Sequence, residues 1–288
     1  MFKLQCRTFQ WAGHNSFCRG PLFYSGGLEK SQMTTPAIDS FAKDLNQALQ
    51  KMYNKAASCD KGLLSPVAID RGFQLLQKLG YPLNLLRDLP PRSDVLAFPC
   101  ANPLSKVSEL SPQTILDLGC GTGLDALFCC RSLPDLKRLT GLDASSELLA
   151  KGEELLRHFP TEAEKITLYQ GDLNILEKDQ NFNLQPVDLI LMNGSFNLIY
   201  NKMKFFTGLA PLLNQNGTLL IYDFLLTESL PPGFADEVDN WLWNIGGALP
   251  AENLEQVVTD AGLEIVEIKE FERIEPVARC EIIISHPT

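Results

Sequence analysis

The feature that most constrains this sequence is a turn with three glycines at alternate positions. An apolar run, 114–118, leads into Gly119, Gly121 and Gly123, and a second apolar segment, 124–133, follows. This order predicts a buried parallel strand, a tight turn and a helix N-terminus. Glycine suits such a turn because it adopts unusual dihedrals and because a Cβ would keep a ligand away from the backbone amides. We therefore expect a ligand at this turn.

The remaining C-terminal sequence alternates apolar runs with helix-like segments. Strands are predicted at 114–118, 139–143, 166–170, 187–192 and 218–222, and helices at 124–133, 145–159 and 202–213. Near-continuous apolar strands separated by helices predict an α/β fold, a doubly wound and mostly parallel sheet with helices on both faces. Ligands bind beyond the carboxyl ends of such strands. The polar residues at or near these ends are Asp117, Asp143, Asp172, Asn193 and Asp223.

The chain divides into three expected regions. Residues 1–33 form a basic segment, disordered or targeting, with Glu29 as its single acid. It is either an organelle transit peptide or sequence upstream of a true start at Met33. Residues 34–110 carry apolar residues at helical spacing, first from about Pro36 and again over 65–89, and are predicted to form a helical cap. Residues 111–288 form the ligand-binding domain.

Composition narrows the class of partner. The 288 residues include 25 basic and 35 acidic side chains, a formal charge of −10, which argues against a nucleic-acid partner. No apolar run is long enough for a membrane span. Eight cysteines without C-x-x-C spacing and only three histidines predict no metal site. Free cysteines fit a reducing compartment: the cytoplasm, or an organelle matrix if the N-terminal segment is a transit peptide. The oligomeric state cannot be predicted.

A nicotinamide-binding site is the first alternative. Its fingerprint is G-x-G-x-x-G, whereas Leu124 stands here where the third glycine of that fingerprint would be. With Asp117 before the turn, an acid after the second strand at Asp143 and another after the third at Asp172, the sequence instead resembles the class I S-adenosylmethionine-dependent methyltransferases. This resemblance implies a Rossmann-like, seven-stranded sheet and S-adenosyl-L-methionine as cofactor.

The resemblance assigns roles to the residues of the turn and the acids. Asp143 is expected to accept hydrogen bonds from the ribose hydroxyls, and Asp172 from the adenine amino group with Leu173 beside the ring. Asp117 is expected to order the turn and to meet the ammonium group through water. The full predicted cofactor-binding set is Asp117, Gly119, Cys120, Gly121, Thr122, Gly123, Asp143, Ala144, Asp172, Leu173 and Asn193.

From about residue 79 onwards, the chain is similar to the arsenite methyltransferases. The similarity is found in two segments, 98–103 with the sequence F-P-C-A-N-P and 245–250 with the sequence I-G-G-A-L-P. In that family arsenic(III), a soft ion, is held by cysteine thiolates. Cys100 matches one of them, but Gly194 and Asn244 stand at the positions of two others. Cys59 or Cys280 could supply sulfur from elsewhere in the sequence.

Three hypotheses about the reaction therefore remain. The first is methyl transfer to a small organic molecule, the second is arsenite methylation proper, and the third is an inactive cofactor-binding assembly partner. Asn193 and Asp223 are the predicted catalytic residues, with Tyr200 or Tyr222 as further candidate bases. Substrate contacts are predicted for Cys100, Trp241 and Asn244, with Trp241 on a lid helix hinged at 246–247.

Overall fold

The computed structural model describes residues 35–58, 72–90, 98–176 and 184–288. The predictions for residues 1–33, for Cys59 and for the start of the second predicted helix, 65–71, lie outside these described residues. Within them, no helix combines the length and the apolar character needed to cross a bilayer.

Ten α-helices and seven strands make up the regular structure of the described residues. The helices are α1 (Thr35–Ser58), α2 (Gly72–Lys78), α3 (Leu83–Arg87), α4 (Leu104–Leu110), α5 (Leu124–Ser132), α6 (Ser146–Leu156), α7 (Pro160–Ala163), α8 (Lys202–Leu209), α9 (Val238–Leu242) and α10 (Ala251–Asp260). The strands are β1 (Thr114–Leu118), β2 (Arg138–Asp143), β3 (Ile166–Gln170), β4 (Val187–Asn193), β5 (Leu213–Leu226), β6 (Glu264–Ile274) and β7 (Val277–Ser285).

The strands form one sheet in the order β3-β2-β1-β4-β5-β7-β6, in which β7 alone runs antiparallel to its neighbours. The predicted doubly wound, mostly parallel sheet is thus confirmed. The chain order reverses between β1 and β4, so the carboxyl ends of these two strands flank the crevice in which such sheets bind ligands. The glycine turn follows β1 at this point.

The start of β5 was predicted wrongly. The fifth strand was predicted to begin at Thr218, but β5 begins at Leu213. The pairing with β4 shifts register between Val187 and Leu189, which face Leu213 and Thr218, so the intervening residues bulge within the strand. A Cβ at Gly217 would lie 3.0 Å from the Val187 carbonyl oxygen, which explains the glycine there.

Apolar side chains cover both faces of the sheet. One face packs against α4 and α5, where Phe128 and Cys129 are fully buried. The other packs against α8 and α10 through residues such as Phe206 and Leu254. Each large side chain buried in this way contributes about 1.5–3 kcal/mol. The cysteines of α5 are therefore core residues, as expected, and the five described cysteines are all free thiols.

Helix α1 lies across the carboxyl edge of the sheet. Its Leu45 and Leu49 pack with Trp241 of α9 in a third apolar cluster. On the same helix, the Asn46 amide donates to Asp172 at 2.7 Å, which joins α1 to the loop after β3. The helix predicted from Pro36 onwards is thus present, and it closes one side of the crevice.

Candidate cofactor and acceptor site

The glycine turn lies between β1 and α5 with its three glycines in left-handed conformations. Gly119, Gly121 and Gly123 have φ values of 81°, 56° and 68°. A Cβ at Gly121 would meet no atom within 4 Å, whereas a Cβ at Gly119 would lie 2.7 Å from the Ser195 hydroxyl oxygen. Close approach of a ligand is therefore possible over Gly121. At Gly119 the glycine is required by packing against the loop after β4.

Asp143, the last residue of β2, is bound to that turn. One carboxylate oxygen accepts from the Gly121 N–H and the other from the Ser145 N–H, both at 2.8 Å. Burial raises the pKa of Asp143, and these backbone donors oppose the shift. A carboxylate oxygen has two lone pairs, so each oxygen can still accept a bond from a ligand hydroxyl.

Asp117 lies in β1 with 3% of its surface exposed, and its Oδ2 atom has no hydrogen-bond partner among the described residues. Burial, and then the charges of Asp125 and Asp143, raise the pKa of this carboxyl well above its usual value. A buried carboxylate oxygen without a partner is costly, and a cation or donor beside it would remove that cost.

Asp172 and Leu173 follow β3. The Asp172 carboxylate accepts from the backbone N–H of Asn174 at 2.9 Å, which caps a short 3₁₀ helix, and from Asn46 of α1. Leu173 is buried beside it. The third predicted acid therefore lies at the crevice, where it is shared between the loop and the helical cap.

A cavity with an empty volume of about 1140 Å³, open solvent included, joins these groups. The predicted residues that line it are Asp117, Gly119, Cys120, Gly121, Thr122, Asp143, Ala144, Asp172, Leu173 and Asn193. Its wall also includes residues that sequence reasoning did not select, namely Asn46, Leu49, Gln50, Tyr53, Phe98, Pro99 and Asp125. Gly123, Cys100, Asp223, Trp241 and Asn244 do not belong to this wall as the structure describes it.

Asn193 holds the segment around Cys100. Its Oδ1 atom accepts from the N–H groups of Cys100 and Ala101 at 2.8 and 3.1 Å. Its Nδ2 atom donates to the Ala101 carbonyl at 2.9 Å and to Asp125 at 2.8 Å. Arg279 donates to the Cys100 carbonyl at 3.1 Å. Both ends of the Asn193 amide are therefore engaged in positioning protein backbone.

Asp125 was missed by sequence reasoning. It lies in the first turn of α5, where an acid is favoured by the helix dipole, and that position was the available signal. Tyr81 donates to it at 2.7 Å. Burial raises its pKa to about 6, although the bonds from Tyr81 and Asn193 oppose the shift.

Asp223 is fully buried in β5 and enclosed by amides. It accepts from Asn197 N–H and Asn197 Nδ2, both at 3.1 Å, and from Asn244 Nδ2 at 2.6 Å. Burial raises its pKa to about 6. The same cause lowers the pKa of the nearby buried Lys202 to about 7. Through these hydrogen bonds, Asp223 fixes the segments that carry Asn197 and Asn244.

The three positions at which the arsenite methyltransferases carry cysteines come together in space. A Cβ on Gly194 would lie 3.4 Å from the Cys100 sulfur. The Asp223 carboxylate lies 4.0 Å from the same sulfur and accepts a hydrogen bond from the Asn244 side chain, so Asn244 is close as well. Only one of the three carries sulfur. Cys280 contacts the Ala278 carbonyl at 3.6 Å and packs in the cluster beside α8 and α10.

Both substituted positions have left-handed backbone. The φ values are 84° at Gly194 and 63° at Asn244. Glycine adopts this region freely and asparagine adopts it more readily than most residues. The local backbone therefore suits the residues that are present.

The tryptophan of α9 is part of the packing. Trp241 is buried, and its Nε1 donates to the Ala235 carbonyl at 2.8 Å. A Cβ on Gly247 would lie 2.5 Å from the Trp241 ring, and one on Gly246 would lie 2.6 Å from it. Both glycines of the predicted hinge therefore allow close contact with this ring. Trp241 lies against α1, where its ring centroid is 6.2 Å from that of Phe41.

An open α/β sheet with a glycine turn after β1 and an acid after β2 defines a nucleoside-binding, Rossmann-like class of protein. Comparison with known proteins narrows this class. Residues 110–268 match the family described as a methyltransferase domain. The chain belongs to this methyltransferase family, whose cofactor is S-adenosyl-L-methionine.

Two curated relatives illustrate the range. The arsenite methyltransferase of Halobacterium salinarum is 24% identical over 192 residues, which are 67% of this chain and 47% of that protein. The demethylmenaquinone methyltransferase of Porphyromonas gingivalis is 30% identical over 129 residues, 43% of this chain and 49% of that protein. The matches thus span about half the length of these relatives.

A solved structure shares the fold. The arsenic(III) S-adenosylmethionine methyltransferase of Chlamydomonas reinhardtii superimposes with a TM-score of 0.56 at 18% identity, covering 70% of this chain and 71% of that one.

Proposed function

We propose that this chain transfers a methyl group from S-adenosylmethionine to a small-molecule acceptor other than arsenite. The observation that carries the cofactor half of the proposal is the buried Asp117 oxygen, which finds no hydrogen-bond partner in the described part of the chain. Asp117 lies in the wall of the same cavity as Asp143 and Gly121. The cofactor bears an ammonium and a sulfonium, so acids and an open backbone suit it.

The residues of the cavity fit the parts of the cofactor. Asp143 would accept from the ribose hydroxyls, Asp172 from the adenine amino group beside Leu173, and Asp117 would face the ammonium. Gly121 leaves room for the chain between them. When bound, S-adenosylmethionine supplies a methyl group on sulfur, and the C–S bonding pair returns to sulfur as the acceptor's lone pair forms the new bond. The acceptor's proton leaves to solvent.

The contribution of the chain to this transfer is positioning and exclusion of water. Helix α1 covers the crevice through Leu49 and Tyr53, and Phe98 and Pro99 supply an apolar wall near Gly194. Asn193 and Arg279 hold the segment that carries this wall. A fixed, dry site that aligns the nucleophile with the methyl group can supply much of the rate acceleration.

The acceptor half gives little support for arsenic binding. Arsenic(III) requires several soft thiolates, and only Cys100 occupies one of the three relevant positions. Burial, followed by the charge of Asp223, raises the pKa of the Cys100 thiol well above its ordinary value, so it is a neutral thiol.

Arsenite remains the second candidate because both an arsenite methyltransferase and an arsenic(III) methyltransferase structure are among the relatives. Incubation with methyl-labelled cofactor separates the two. The acceptors are phenol, hydroquinone, thiophenol, and arsenite with glutathione. We expect label in an organic product and none in arsenic species.

Two further outcomes are informative. Binding of S-adenosylhomocysteine without transfer to any acceptor would favour an inactive, cofactor-binding assembly partner. Tighter binding of NADH than of S-adenosylhomocysteine would overturn the cofactor assignment.

A further inference from the structure

Tyr53 of α1 lies in the wall of the crevice, together with residues from the carboxyl ends of the strands. It shares that wall with Asp143 on the cofactor side and with Gly194 and Phe98 on the acceptor side. Its ring packs against that of Phe98 with the centroids 6.5 Å apart. Nothing in the sequence motifs singled out this residue, because it lies far from the glycine turn.

The Tyr53 hydroxyl makes no hydrogen bond within the part of the chain that the structure describes. Burial raises the pKa of this phenol above its ordinary value, and the charges of Asp143, Asp223 and Cys100 add to the shift in that order. The hydroxyl is thus a neutral group, able to donate and to accept, between the two halves of the crevice.

Helix α1 is held in place on the cofactor side. The Asn46 amide donates to Asp172 at 2.7 Å, the Gln50 amide donates to the Ala144 carbonyl at 3.3 Å, and the Ser145 hydroxyl donates to Asn54 at 2.6 Å. These contacts fix the register of the helix over the cofactor half. They therefore fix where Tyr53 meets the cavity.

The other candidate tyrosines are engaged elsewhere. Tyr222 donates to Glu281 at 2.5 Å, and Tyr81 donates to Asp125 at 2.7 Å and to the Ala101 carbonyl at 3.0 Å. Tyr200 packs with Phe41 and Trp241 in the cluster between α1 and α9. Among the described tyrosines, Tyr53 alone lines the cavity.

We propose that the Tyr53 hydroxyl hydrogen-bonds the methyl acceptor and orients its nucleophilic atom toward the methyl group. This inference rests on the proposed function. The acceptor would then be a small molecule whose nucleophile is a hydroxyl or thiol, since such a group can exchange a hydrogen bond with a neutral phenol. Phe98 would pack against its apolar part.

The test compares Tyr53→Phe with the wild-type chain and with Tyr169→Phe, a variant of a half-exposed tyrosine on β3 outside the cavity wall. Each protein is assayed for label transfer to phenol, hydroquinone and thiophenol, for S-adenosylhomocysteine affinity by calorimetry, and for its unfolding midpoint. We expect Tyr53→Phe to lower kcat/KM by about five- to tenfold, the size of one lost hydrogen bond. Its cofactor affinity and midpoint should stay unchanged, and Tyr169→Phe should behave as wild type.

The outcomes separate the two proposals. If wild type and Tyr53→Phe transfer the label with the same kcat/KM, the role of Tyr53 is overturned and the proposed function still holds. A loss of S-adenosylhomocysteine affinity that accounts for the whole drop in kcat/KM would also overturn it, because Tyr53 would then contact the cofactor. Absence of transfer to all three acceptors by the wild type would overturn the proposed function and this inference with it.

Discussion

The two halves of the crevice are built in different ways. The glycine turn and the three acids of the cofactor half come from one stretch of sequence, 114–174, in which they follow each other closely. The proposed acceptor half is assembled from segments far apart in the chain, namely Tyr53, residues 98–99 and the loop after β4. A short-range motif therefore identifies the donor of the methyl group. We expect the acceptor to depend on contacts between segments that are distant in the sequence.

Loss of the Asp143 carboxylate should weaken cofactor binding more than any other change considered. Asp143→Ala removes both a ligand acceptor and the two bonds to the glycine turn, so we expect S-adenosylmethionine binding to weaken by about 1.5–3 kcal/mol. Calorimetric titration measures this. Asp188→Asn is the matched control, because Asp188 accepts from Thr114 at the opposite edge of the sheet and should leave the affinity unchanged. Unaltered binding in Asp143→Ala would refute its role.

Replacing Asp117 by asparagine should change the stability of the chain and its cofactor affinity in opposite directions. The raised pKa means that the folded chain holds the proton more tightly than the unfolded chain, so the contribution of this group to stability falls as pH rises above about 4. We expect Asp117→Asn to stabilise the cofactor-free chain by about 1–3 kcal/mol at pH 7.5, with the gain vanishing near pH 4.

Urea unfolding at several pH values measures this gain, and the same variant should bind S-adenosylmethionine more weakly. A variant that is less stable at pH 7.5 would show that Asp117 has a partner that compensates its burial.

A cysteine at position 194 tests whether missing sulfur ligands exclude arsenite. Gly194→Cys places a side chain on left-handed backbone, at a cost of about 1–2 kcal/mol. We expect no arsenite methylation from this variant alone, and a gain of arsenite methylation from its combination with Asn244→Cys, because the combination puts sulfur at all three positions. Gly194→Ala carries the same backbone cost without sulfur and should unfold at the same urea concentration. Arsenite turnover by Gly194→Cys alone, or its absence in the double variant, would contradict the requirement for three sulfur ligands.

The sequence predicted the sheet and the place of the glycine turn for a physical reason. Buried parallel strands and a glycine turn depend on local patterns, so β1 to β4 and the position of Asp143 could be read directly. Asp125 was missed although it follows the turn, because nothing local reveals its bonds to Tyr81 and Asn193.

Asn193 shows where sequence reasoning ends. It was predicted to be catalytic from its position at the end of β4, yet its side chain bonds to backbone about ninety residues away and to the side chains of Asp125 and Tyr81. Its place at the crevice was foreseeable and its partners were not. The same holds for Tyr53, since only packing of α1 brings that hydroxyl to the sheet. The assigned roles of all these residues stay predictions until they are tested.

The most direct test of the account compares wild type and Cys100→Ser for transfer of labelled methyl groups to phenol, hydroquinone, thiophenol, and arsenite with glutathione. We expect both proteins to form an organic product at similar rates, with no labelled arsenic. Methylated arsenic from the wild type, lost in Cys100→Ser, would contradict it.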